Sequence, residues 1–132
     1  MRKRGWSRLL LVLLLAPGLA SACTHESIAD PSLSRTAAER IREIGKDKPW
    51  YSILRQVNGL PVATGYQASN NGDGMSEVSV ELIPSADTHG RVAHQACAAI
   101  LSGLNETSVG PSLGIEEVDL YNTGSDGCTA SN

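Results

Sequence analysis

Apolar residues recur along this chain at helical spacing, then at strand spacing, then at helical spacing again. Leu33, Ala37, Ile41 and Ile44 share one face of a helix, while Arg35, Glu39, Arg42 and Glu43 turn away. Asp30-Pro31 or Ser34 supplies its N-cap, and Gly45, Lys46 and Pro49 its stop. From Trp50 the period shortens, and Tyr51, Ile53 and then Arg55 or Val57 suggest a strand. Asn58-Gly59 is a hairpin signal, since both residues accept positive φ, and a second strand runs from Val62 to Ala68. Asn70 to Gly74 read as a loop. Ser76, Val78, Val80 and Leu82 then alternate with Glu77, Ser79 and Glu81, which predicts a strand with one face on a core and one on water.

Pro84 ends that strand, and Asp87 is placed to cap a second helix whose buried face carries Ala93, Cys97, Ile100 and Leu104. A polar connection from Asn105 to Gly114 leads to a last strand, Ile115 to Tyr121, with Val118 and Leu120 on one side. Thr123 to Gly127 form a turn before Cys128. The expected order is α-β-β-β-α-β. The simplest fold for it is a small single α+β domain, an antiparallel sheet of about four strands with two helices on one face.

The N-terminus follows a different pattern. Arg2, Lys3, Arg4 and Arg8 surround the start of an apolar run from Leu9 to Leu15, which Pro17 and Gly18 interrupt. The run is roughly half the 20 residues that a membrane-spanning helix needs. It has the build of a signal peptide over residues 1–22, ending in Ala20-Ser21-Ala22 before Cys23. Residues 23–30 then read as a flexible tether, and 31–132 as the domain.

Ala20-Ser-Ala is a good site for ordinary signal peptidase. The same stretch, Leu19-Ala-Ser-Ala-Cys23, resembles the lipobox of small bacterial lipoproteins, with Ala20 where that family usually has Leu. The resemblance is limited to the leader and Cys23. It implies a diacylglycerol on the Cys23 thiol, a cut just before it, and attachment to the membrane through the acyl chain. Cysteine arithmetic favours lipidation. The chain has three cysteines, and an exported protein ordinarily pairs its thiols. A lipidated Cys23 leaves Cys97 and Cys128 as an even pair for a disulfide.

Loss of the leader removes four basic residues and no acidic one, moving the formal charge from −3 to −7 on roughly 110 residues. Such a surface repels phosphate backbones, so nucleic acid is not an expected partner. With no phenylalanine and few aromatics, the core must come mostly from Val, Ile, Leu and Ala.

Familiar chemistries fail on inspection. His94 and Cys97 lie three apart on a helix, with His89 nearby, but zinc needs three or four ligands and a thiolate, and a disulfide would withdraw Cys97. The same pair as a nucleophile and base would require an accessible cysteine. Gly110-Pro-Ser-Leu-Gly114 matches the G-x-S-x-G pattern around Ser112, yet a helix precedes it, a strand follows, and all three histidines lie before it. Ser69, Asn71, Asp73, Gly74 and Glu77 partly mimic an EF-hand loop that has Ser69 first and Val80 twelfth, where acids belong. Asn105-Glu-Thr107 is a glycosylation sequon, relevant only in a eukaryotic host.

The expectation is therefore an exported, lipid-anchored envelope protein without catalytic residues, metal or cofactor, acting as a binding module toward another envelope component. Two binding alternatives are an inhibitor of a secreted cationic enzyme, by analogy with lysozyme inhibitors, and a phage exclusion lipoprotein. A small secreted enzyme, or a secreted form without lipid on Cys23, completes the set.

Overall fold

The structure is a computed structural model that describes residues 27–68, 75–84, 90–121 and 126–129. Strand β1 (Ser27–Ala29) leads directly into helix α1 (Pro31–Gly45). Asp30 caps that helix: its Oδ1 accepts from the amides of Ser32 at 3.0 Å and Leu33 at 3.1 Å, and Pro31 takes the first helical position. A short 3-10 turn (Pro49–Ile53) follows. A small hairpin comes next, β2 (Gln56–Val57) and β3 (Leu60–Pro61), and then β4 (Ala63–Ala68) and β5 (Ser76–Glu81). Asn58 and Gly59 at the hairpin turn have φ of 54° and 79°, the left-handed pair that the Asn-Gly signal predicts. Helix α2 (Arg91–Asn105) connects β5 to β6 (Ile115–Tyr121), and β7 (Asp126–Thr129) ends the described chain.

The α+β class with two helices holds. The main sheet is larger than expected and mixed, with five strands in the order β1-β4-β5-β6-β7. β5 and β6 are parallel, the other neighbours antiparallel. The parallel pair follows from α2, a crossover helix that returns the chain to the end from which β5 started. Part of the expected tether, Ser27 to Ala29, is already edge strand. The strand expected from Trp50 to Val57 is instead the 3-10 turn followed by β2.

One row across the sheet explains how the layers meet. Gly65 in β4, Val78 in β5, Val118 in β6 and Cys128 in β7 are in register. At one end of the row, a Cβ on Gly65 would lie 2.9 Å from the Ser34 amide nitrogen, so glycine lets α1 press on β4. At the other end Cys128 is bonded to Cys97 of α2, with Cα atoms 6.0 Å apart. Both helices therefore cover the same face. Between them Ile41, Leu54, Val78, Val80, Ile100, Leu104, Ile115, Val118 and Leu120 are fully buried. Trp50, Tyr51 and Cys97 join the expected Val, Ile, Leu and Ala in this core.

Gly45 and Gly103 serve close packing. A Cβ on Gly103 would overlap the Ile44 side chain, and one on Gly45 would meet the rings of Trp50 and Tyr51. By sequence Gly45 is expected to lie at the helix stop. In the structure it is the last helical residue, and Lys46 is the C-cap.

Candidate functional site

The 105–114 connection, which carries two of the sequence motifs, is held by its own polar groups. Asn105 Nδ2 donates to the Ile115 carbonyl at 2.7 Å, and its Oδ1 accepts from the Ile115 amide at 2.8 Å. Ser112 Oγ accepts from the Gly114 amide at 3.2 Å and donates to Asn105 Oδ1 at 3.4 Å. Ser112 thus closes a turn, and the sequon asparagine anchors the start of β6. Arg40 reaches across from α1, donating to the carbonyls of Leu104, Glu106 and Pro111 at 2.7–3.1 Å. A guanidinium at those carbonyls also suits the negative end of α2. The groove beside it, about 700 Å³, is lined by Arg40, Ile44, Val109, Pro111 and Leu113 among others. Its guanidinium is engaged in holding the loop.

The other predicted residues also take structural places. Cys97 is buried and in the disulfide, while His94 is exposed on α2, so the pair forms neither a metal site nor a nucleophile and base. Among the described residues no group of three or more His, Cys, Asp or Glu could hold a metal ion. Val80, the twelfth position of the EF-hand reading, is fully buried in the core. Cys23, the leader, residues 69–74, Asp87 and His89 lie outside the described residues. No described helix is long and apolar enough to cross a membrane.

From the sequence, Glu77, Ser79 and Glu81 are expected only to face water. The structure joins them to residues of two other strands. On the sheet face opposite the helices, Tyr66, Glu77 and Glu117 form one transverse row, and Thr64, Ser79 and Asp119 the next. Glu81 stands opposite Tyr121 in a third. Gly127 in β7 has no side chain to fill its place; a Cβ there would lie 3.6 Å from Asp119 Oδ1 and 3.8 Å from Glu117 Oε1. A shallow depression of about 260 Å³ lies between Val62, Thr64, Tyr66, Ser79, Glu81 and Tyr121. The register was not legible because β6 is parallel to β5, and its bulge beside Ser76 and Glu77 sets which carboxylates face each other.

This arrangement has an energetic signature. Like charges directly opposite in a sheet are destabilising. Glu77 has a carboxyl pKa raised above its ordinary value, first by burial and then by the charges of Glu117 and Asp119. The neighbouring charged pair, Arg55 and Glu81 at 3.3 Å, lies at the rim. A raised folded-state pKa means that the native state holds this proton where the unfolded chain has released it. The resulting stabilisation is complete below the ordinary value of 4.5 and is lost as pH rises through the folded-state value. Glu77→Gln should therefore gain about 0.2–1 kcal/mol of stability at pH 7.5, and the gain should vanish near pH 4. Urea unfolding at the two pH values measures it; a variant no more stable than the parent at pH 7.5 would refute the repulsion.

Compared with known proteins, the chain matches no family model, no curated protein and no solved structure.

Proposed function

We propose that this chain is an exported, lipid-anchored module of the cell envelope that acts by binding another macromolecule and carries out no chemistry of its own. The observation behind the reading is the pairing of Cys97 with Cys128, which leaves Cys23 as the odd cysteine of three. Structural disulfides belong to oxidising compartments. In such a compartment an unpaired thiol directly behind an Ala-Ser-Ala exit is best accounted for by acylation. Ser112 and Cys97, the two residues that imitate catalytic motifs, are engaged in holding the fold, which supports a binding role. A single acyl chain gives only marginal membrane attachment, so a mature lipoprotein needs more than one chain for stable anchoring.

Intact-mass analysis of protein extracted from membranes tests the reading. The expected species begins at Cys23 and carries diacylglycerol mass on that residue. Protein recovered from the medium with Cys23 unmodified would remove the anchor, and protein retaining Met1 in the cytoplasm would remove export as well.

A further inference from the structure

The helix-free face of the sheet has a composition that a merely solvated surface does not require. Among the described residues, Arg35, Arg40, Arg42, Lys46 and Lys48 all lie on α1 or the turn after it, across the sheet, and Arg91 opens α2. The cation at the rim of the free face, Arg55, pairs with Glu81. Glu39, Glu43, Asp47 and Glu106 accompany the helix-side cations, so that side mixes both signs, whereas among the described residues the free face carries Glu77, Glu81, Glu117 and Asp119 against Arg55 alone. The acidic side also keeps a costly arrangement, with Glu77 in register with Glu117 and next to Asp119. A threonine at any of these positions would suit a strand and remove the repulsion.

Charge alone would not single out a docking face; the aromatic residues do. Tyr121 is 66% exposed and shares the 260 Å³ depression with Tyr66, so two rings lie open beside the carboxylates. Aromatic faces beside carboxylates suit lysine and arginine side chains, whose alkyl stems pack on the ring while the head pairs with the acid. Tyrosine and arginine are also the residues enriched at interface hot spots.

We propose that this face, centred on Glu77, Glu117 and Asp119 and flanked by Tyr66 and Tyr121, docks a folded protein that presents clustered lysine and arginine side chains. The biological setting rests on the binding-module reading above; the surface itself does not depend on the anchor. The carboxylates are spread over adjacent strands about 4.8 Å apart, a spacing that matches several side chains of a protein surface rather than one ion. Bound cations between the opposed carboxylates would relieve their repulsion, so complex formation should be salt-sensitive and should stabilise the domain.

The full chain in neutral detergent, titrated at low salt with cytochrome c as a basic folded probe, tests this. Glu77→Gln/Glu117→Gln/Asp119→Asn should weaken binding by about tenfold or more, whereas Glu39→Gln/Glu43→Gln/Glu106→Gln, equal in charge but placed elsewhere, should change it less than about twofold. Tyr121→Ala, with charge unchanged, should cost about threefold or more. Carbodiimide cross-links to probe lysines should map to residues 77, 117 and 119. Equal losses in the two charge-matched triples would mean that net charge alone attracts the probe, and would overturn the proposal. So would no loss in either triple, an inert Tyr121→Ala, or cross-links confined to α1. The first triple relieves repulsion, so lost binding cannot be ascribed to unfolding, which thermal melting verifies. An unmodified Cys23 with face binding intact defeats the anchor alone; an acylated Cys23 with no face-specific loss defeats the docking surface alone.

Discussion

Removing the Cys97–Cys128 bridge should cost about 3–4 kcal/mol, a large part of the stability of a domain this small. The bonded residues are 31 apart, and releasing them returns loop entropy to the unfolded chain. For roughly 100 residues each kcal/mol moves Tm by about 4–8 °C, so the midpoint should fall by about 12–32 °C. Cys97→Ala/Cys128→Ala is the better variant, since Cys97 is 2% exposed and serine there would bury a hydroxyl. The damage should begin at one place. β7 is a four-residue edge strand, paired only with β6 and tied to α2 by the bridge. Amides of β7 should lose hydrogen-exchange protection first, while β4 and β5 in the middle of the sheet keep theirs. An unchanged midpoint in reductant, with β7 still protected, would show that non-covalent packing holds the edge without the bond.

The edge strands also mark the boundary of what the sequence could reveal. Where an element buries a periodic apolar stripe, its residues announced it. Ala37 and Ile41 in α1, Val78 and Val80 in β5, and Ala93, Cys97, Ile100 and Leu104 in α2 are all buried as their spacing predicts. β1 and β7, reading Ser-Ile-Ala and Asp-Gly-Cys-Thr, are too short to carry an alternation, and β1 is exposed at all three residues. Their existence depends on backbone bonding to a neighbour, which side-chain patterns do not encode. The free face was legible only strand by strand: Glu77 and Glu81 were recognisable as outward-facing, but bringing Glu117 and Asp119 beside them required the parallel crossing of β6. The disulfide partners were legible by counting, whereas the fate of Cys23 lies beyond the described residues and belongs to the mass measurement.

Trp50→Ala should be the most damaging single substitution away from the bridge, lowering stability by about 3–5 kcal/mol in urea unfolding followed by circular dichroism. The sequence points the segment that carries it toward a strand, because Trp, Tyr and Ile favour strands and Tyr51 and Ile53 alternate. Strand geometry would send Trp50 and Tyr51 to opposite faces. The 3-10 turn instead buries both, with their rings edge to face at 6.2 Å and resting against the end of α1 where Gly45 lacks a Cβ. In a core without phenylalanine, the indole fills volume that Leu and Val elsewhere cannot reach, and its loss leaves a cavity that the rigid turn beginning at Pro49 cannot close. The neighbouring ring supplies the control. The buried Tyr51 hydroxyl has no hydrogen-bond partner among the described residues, and burial raises its pKa against the opposing pull of Arg42. Tyr51→Phe removes that hydroxyl and keeps the ring, so it should be neutral or slightly stabilising. A Trp50→Ala loss no larger than that of an exposed substitution would mean the rings do not hold α1 to the turn, and a costly Tyr51→Phe would mean its hydroxyl has a partner in solution.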